Sequence, residues 1–155
     1  MIKQKLFKYI IYPLARLYWK LFNPKTRGAR ALVIFEDKLL LVKNLNLPYW
    51  TIPGGGIRHR ELPVDCLKRE LKEELYISDI EIQYKLGQYK SSMEGKRDEI
   101  HIFIVQLNSS SFTKQWELAD ASWFPIDQLP ENTSPATLRR VNEYKDGGRD
   151  LLEVW

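Results

Sequence analysis

The stretch from Pro53 to Ile77, PGGGIRHRELPVDCLKRELKEELYI, constrains this chain more than any other. Three adjacent glycines, Gly54 to Gly56, allow a tight turn and a close approach to the backbone. Val64, Leu67, Leu71 and Leu75 then recur three and four residues apart, the stripe of a helix that lays one face on a sheet or core. Pro63 suits the first turn of that helix and Asp65 its positive end, whereas Leu62 is a poor N-cap. The same helix gathers Glu70, Glu73 and Glu74. Carboxylates at i, i+3 and i+4 are neighbours, and each like-charged pair costs roughly 0.2–0.5 kcal/mol. Glu70 and Glu74 flank the apolar stripe, and Glu73 lies further round.

Strand patterns surround this unit. RALVIFE and KLLLVKN, split by Glu36-Asp37-Lys38, predict a hairpin with a polar turn. YWTIPGGG predicts a short extended segment that must turn at 53–56. IEIQYKLGQYK, DEIHIFIVQL and ASWFPI predict further strands. A second helix is marked by Thr133 and Ser134 as cap candidates, Pro135 to open it and Gly147-Gly148 to close it. NPKTRG, residues 23–28, reads as a linker. Strands mixed with two helices in a chain of 155 residues predict one α/β or α+β sandwich plus an appendage.

The net charge of +4 is unevenly spread. Of 24 basic residues, eight fall in 1–30, where there is no acid; the other 16 face all 20 acidic residues. The body of the protein is therefore acidic, and no specific nucleic-acid binding is expected. The opening stretch has Leu6, Ile10, Leu14, Leu17 and Leu21 near helical spacing, with Pro13 kinking the helix or starting a second one. Lys8, Arg16 and Lys20 break any membrane-spanning run, and no small-residue cleavage site follows. Residues 1–22 thus read as a basic amphipathic helix. It either lies peripherally on an anionic membrane surface or packs on its own domain or a dimer partner. The lone Cys66 supports no disulfide and fits a reducing, cytoplasmic setting, with membrane association left open.

Two accounts meet at the acidic cluster. It is a solvated face, with Arg69 and Glu73 as an i, i+4 pair, or it is a site whose repulsion a divalent cation removes. Hard oxygen donors without nearby His or Cys favour Mg²⁺, with Mn²⁺ as the second choice.

Gly55, Glu61 and Arg69-Glu70-Leu71-Lys72-Glu73-Glu74-Leu75-Tyr76-Ile77 resemble the Nudix box, GX5EX7REUXEEXGU, at every fixed position but one: Tyr76 replaces a glycine. The resemblance extends to WTIPGGG before the box and ASWFPIDQLPE after it. It implies an α/β/α sandwich with a mixed sheet over residues 28–155, preceded by the helix and linker of 1–27. It also implies metal-dependent hydrolysis of a nucleoside diphosphate linked to another moiety, cut at the pyrophosphate. On this chain the metal ligands would be Glu70, Glu73, Glu74 and the Gly54 carbonyl, and Glu61 with Arg69 would join loop to helix. The proton acceptor would be Glu73 or a carboxylate before the last strand, Glu117 first and Asp120 second. The family glycine ends its helix in a left-handed conformation, which Tyr76 adopts at a cost on the order of 1 kcal/mol or avoids by extending the helix by a residue. Neither outcome removes a ligand, so activity is expected to persist.

Arg58, His59 and Arg60 follow the glycines as candidate phosphate contacts, with His59 equally readable as a solvated loop residue. SSMEGKRDE is either a substrate-side loop whose Lys96 or Arg97 meets phosphate or an ordinary exposed hairpin turn. His101 alternates with Phe103 and Val105 and reads as a sheet histidine. Tyr49 and Trp50 are base-stacking or buried strand aromatics. No residue selects among nucleoside triphosphates, nucleotide sugars and dinucleoside polyphosphates. The alternative function is a catalytically inactive Nudix-fold module that senses or binds a nucleotide.

Overall fold

The computed structural model describes residues 25–91 and 97–155. The amphipathic segment 1–22 and Lys96 lie outside these residues. The elements are β1 (Lys25–Phe35), β2 (Lys38–Asn44), β3 (Trp50–Thr51), β4 (Gly54–Gly56), α1 (Pro63–Leu75), β5 (Glu81–Ser91), β6 (Arg97–Gln106), β7 (Leu118–Pro125), α2 (Pro135–Lys145) and β8 (Leu151–Val154). They build one mixed sheet in the order β3-β2-β1-β6-β5-β8, with β4 also on β1 and β7 also on β2. β1 runs parallel to β6 and β5 parallel to β8. The β1–β2 pair is the expected hairpin.

The central strands carry near-continuous apolar runs, broken by Arg30 on β1 and His101 on β6, because both faces are covered. On β1, Ala29, Ala31 and Val33 pack with Leu67, Leu71 and Leu75 of α1, while Leu32 and Ile34 face the layer of Val141 from α2. On β6, Phe103 and Val105 join the first cluster, and Ile100, Ile102 and Ile104 the second. This is the expected α/β/α sandwich. Ser134 caps α2 by accepting a hydrogen bond from the Thr137 amide at 3.2 Å. Leu62 caps nothing with its side chain and is exposed.

Two pieces differ from the sequence reading. Residues 25–28, read as linker, are the start of β1. They pair with β6 through the main chain, and Arg27 sits 3.5 Å from Glu99 while Thr26 bonds Asp98. β8 has no strand pattern because its residues Leu152 and Val154 face outward, exposed at a sheet edge. Main-chain pairing to β5 and the packing of Leu151 and Trp155 on the second cluster hold it. Among the described residues no helix is long and apolar enough to cross a membrane.

Candidate active site

β4 is pressed so closely against β1 that only glycine fits at its start. Gly54 has φ +127°, and a Cβ there would strike the Ala29 carbonyl and the Arg30 Cα. At Gly55 the missing side chain makes room for a functional group instead: a Cβ would lie 2.5 Å from the carboxyl carbon of Glu70. Loop and helix therefore meet with the Glu70 carboxylate resting on the loop backbone. One turn on, Glu74 is only 8% exposed. The Gly54 amide donates to its Oε2 at a long 3.4 Å. Burial pushes the Glu74 carboxyl up to about 7; Glu70 and Glu117 add to the rise, and Arg30 and the Gly54 amide oppose it. Glu73 lies on the open side, accepting from Arg58 at 3.2 Å and from Arg69 at 3.1 Å.

Arg69 organises the junction. Its Nε and Nη2 donate to the two oxygens of Glu61 at 2.8 and 2.9 Å, a bidentate pair. The same guanidinium donates to the Gly56 carbonyl at 3.0 Å and to Glu70 at 2.6 Å. Glu61 also accepts from the Arg58 amide at 2.7 Å. The Arg69 bonds, foremost, hold the Glu61 carboxyl down at about 2, and Glu61 in turn raises Arg69. The expected loop-to-helix pair is thus in place.

Among the described residues, no three His, Cys, Asp or Glu side chains are drawn into a ready cation cage. The donor chemistry nonetheless suits a hard divalent cation. Burial first, and the neighbouring Glu70 charge after it, hold the Glu74 carboxyl above its ordinary value, and a bound cation would offset both. The Cys66 thiol is buried against the Gly55 and Gly56 carbonyls and pushed up by desolvation to about 11. His101 is buried on β6 at 3.0 Å from Glu99, and desolvation lowers its pKa.

The other expected residues fall as follows. Arg58 reaches the cluster; His59 and Arg60 are exposed in the same loop, with Arg60 at φ +62°. Arg97 is exposed at the start of β6, in register with Lys25. Glu117 is exposed yet close enough to Glu74 to raise its pKa. It is brought there because the Thr113 and Gln115 amides each donate at 2.9 Å to the Leu75 and Glu74 carbonyls at the end of α1. Asp120 turns onto the Ala121 amide. Trp50 packs edge-on against Phe124, and Tyr49 is 46% exposed.

The sequence reading missed Arg30, which donates to the Ile52 carbonyl at 3.0 Å and lies within electrostatic reach of Glu74 and Glu70. The available signal was a lone Arg at the head of an apolar run, because a desolvated cation needs a counter-charge. Tyr76 also resolves: it does not extend the helix. It ends α1 at φ +59°, its amide bonding the Lys72 carbonyl at 3.1 Å.

The model of the NUDIX domain matches residues 24–144. A Bacillus subtilis (strain 168) protein with the provisional name 8-oxo-dGTP diphosphatase is 29% identical over 128 residues, 81% of this chain and 84% of that one. A MutT protein from Methanosarcina mazei Go1 has a similar structure, with TM-score 0.69 and 22% identity over 81% of this chain and 96% of the other. A UDP-X diphosphatase superposes with TM-score 0.69 and 20% identity over 92% of this chain and 74% of the other. Box residues, sandwich and domain match agree over the same stretch of sequence, and the chain belongs to the Nudix family as a pyrophosphohydrolase.

Proposed function

We propose that this chain uses Mg²⁺, or Mn²⁺ in its place, to hydrolyse a nucleoside diphosphate linked to another moiety, with nucleoside triphosphates, oxidised ones included, as the first substrates to try. The observation that carries this reading is the placement of Glu70 and the buried Glu74 against Gly54 and Gly55, with Glu73 beside them. The name of the Bacillus subtilis relative supports the triphosphate choice. The ligands would be Glu70, Glu73, Glu74 and the Gly54 carbonyl. When bound there, the cation supplies neutralisation of the diphosphate and acidifies the attacking water.

The chain's own residues supply the rest. Arg69 fixes Glu70 and Glu73 through a guanidinium that Glu61 holds rigid. Arg58, with His59 and Arg60 in the same exposed loop, meets substrate phosphate, and Arg97 is a further contact from the start of β6. Glu73 has both oxygens occupied by arginine donors, whereas Glu117 has no ion pair among the described residues. Glu117 is therefore the better proton acceptor, and Glu73 the second choice. The setting is a reducing, cytoplasmic one.

Phosphate and pyrophosphate release from a nucleotide panel tests the reading, with Mg²⁺ and with chelator. Turnover is expected to require the metal, to fall by about 10²-fold or more in Glu73→Gln, and to fall by about 10²-fold in Glu117→Gln. Binding of nucleotide without any turnover would replace hydrolysis with a sensing role.

A further inference from the structure

Arg30 stands where the sheet divides. β1 pairs with β2 only at Ile34 and Phe35, and at Gly28, Ala29 and Arg30 it pairs with β4 instead. The chain entering β4 is laid along this point. The Pro53 carbonyl accepts from the Ala31 amide at 3.1 Å, and the Ile52 carbonyl accepts from Arg30 Nη1 at 3.0 Å. Gly54, whose amide reaches Glu74, is paired with Arg30 itself. One donor of a half-buried guanidinium is thus pinned at the edge of the carboxylate cluster.

The other side of that guanidinium is unused. Among the described residues Nε and Nη2 have no hydrogen-bond partner and no carboxylate forms an ion pair with Arg30, yet neither nitrogen is sealed from solvent. These two N–H groups point the same way, and they are the fork with which Arg69 grips Glu61. Burial strips the Arg30 guanidinium of hydration and lowers its pKa, which Glu74 and Glu70 oppose from a distance. A desolvated cation with an open fork calls for an anion. The anion that hydrolysis brings to this cluster is the substrate's phosphate. A role in pinning the loop needs only Nη1.

We propose that Arg30 binds a phosphate of the nucleotide through Nε and Nη2, and that in the empty site its charge holds down the affinity of Glu70 and Glu74 for a divalent cation. This deepens the hydrolase reading and rests on it. A nucleotide that engages Arg30 removes its opposition to the cation, so each ligand tightens the other by the same factor.

Two measurements on the full chain test it. Electron paramagnetic resonance of free Mn²⁺ gives the metal affinity without nucleotide, counted at the site that Glu70→Gln removes. Calorimetry in chelator gives the affinity for ATP with a methylene α–β bridge, with no metal to share the contact. Arg30→Met is expected to bind Mn²⁺ about threefold or more tightly than wild type, and the nucleotide about tenfold or more weakly. Arg30→Lys keeps the charge and loses the fork. It should hold wild-type Mn²⁺ affinity and still bind nucleotide about threefold or more weakly. Damage to the loop would weaken both ligands, so the opposite signs separate the roles. Nucleotide affinity that is absent in wild type or unchanged in Arg30→Met, or Mn²⁺ affinity that does not rise, overturns the proposal. Metal-dependent turnover of the nucleotide panel beside that result would leave the hydrolase reading standing. A wild type that binds no Mn²⁺ and turns over no nucleotide would remove both.

Discussion

The carboxylate of Glu70 occupies the space that a side chain on Gly55 would fill, with the glycine's virtual Cβ 2.5 Å from its carboxyl carbon. The glycine thus sets where the oxygens of Glu70, one of the proposed metal ligands, can stand. Gly55→Ala should push Glu70 off the loop and lower kcat on the order of 10²-fold, since displacements near 1 Å carry such penalties in pre-organised sites. Steady-state kinetics beside Glu70→Gln checks it. An alanine variant within threefold of wild type would mean that the cradle is dispensable.

The Glu61–Arg69 pair should leave a signature in acid. The Glu61 carboxyl titrates at about 2 in the fold against 4.5 when free, so the folded pKa is depressed. Its contribution to stability is complete above about 4.5 and is lost as pH falls toward 2. Urea midpoints of wild type and Glu61→Gln should therefore differ at pH 7 and converge as the solution is acidified. A constant gap between pH 6 and pH 2.5 would contradict the linkage.

Glu74 has the opposite sign. Its carboxyl is raised from 4.5 to about 7, so the fold binds its proton more tightly than the unfolded chain does. Metal-free stability should fall as pH rises from 4.5 to about 7, by on the order of 3 kcal/mol in total. Glu74→Gln should flatten that slope and raise stability at pH 8 in chelator. Added Mg²⁺ should restore the wild type at pH 8 through preferential binding to the folded state. Denaturant titrations at pH 5 and pH 8 read both effects.

Tyr76→Gly should make the protein more stable. Relief of the left-handed tyrosine is worth about 1–2 kcal/mol, part of which the added backbone freedom of glycine cancels. A net gain near 1 kcal/mol raises Tm by about 2–4 °C in a chain of this size. Calorimetry decides: an unchanged or lower Tm would show that the exposed ring contributes to folding.

The legible parts of this molecule were those with a repeating local cause. The stripe Val64, Leu67, Leu71, Leu75 gave α1 its face, Ser134-Pro135 gave α2 its start, and the spacing of the box residues named the carboxylates that now lie together. What escaped notice depends on distant partners. Residues 25–28 are strand because β6 lies beside them, and β8 exists because β5 offers an edge. Arg30 matters through Glu74 and Glu70, 44 and 40 positions away, and no local pattern carries that relation. Glu117 was placed by family likeness. Its nearness to Glu74 rests on the hydrogen bonds of Thr113 and Gln115 to the end of α1.

The parallel seam between β1 and β6 joins Lys25–Ile34 to Arg97–Gln106, so every pair is separated by 72 residues of chain. During synthesis, β1, the glycine loop and the whole acidic helix leave the ribosome before β6 exists. Arg30 and Ala29, against which Gly54 and Gly55 are fitted, then lie on a strand open along one side. The floor of the acidic helix includes Phe103 and Val105 of β6 and is completed only after that strand has emerged, and non-local pairings of this kind are slow to close. A ribosome stalled before residue 97 would therefore carry every box residue and still present no finished site.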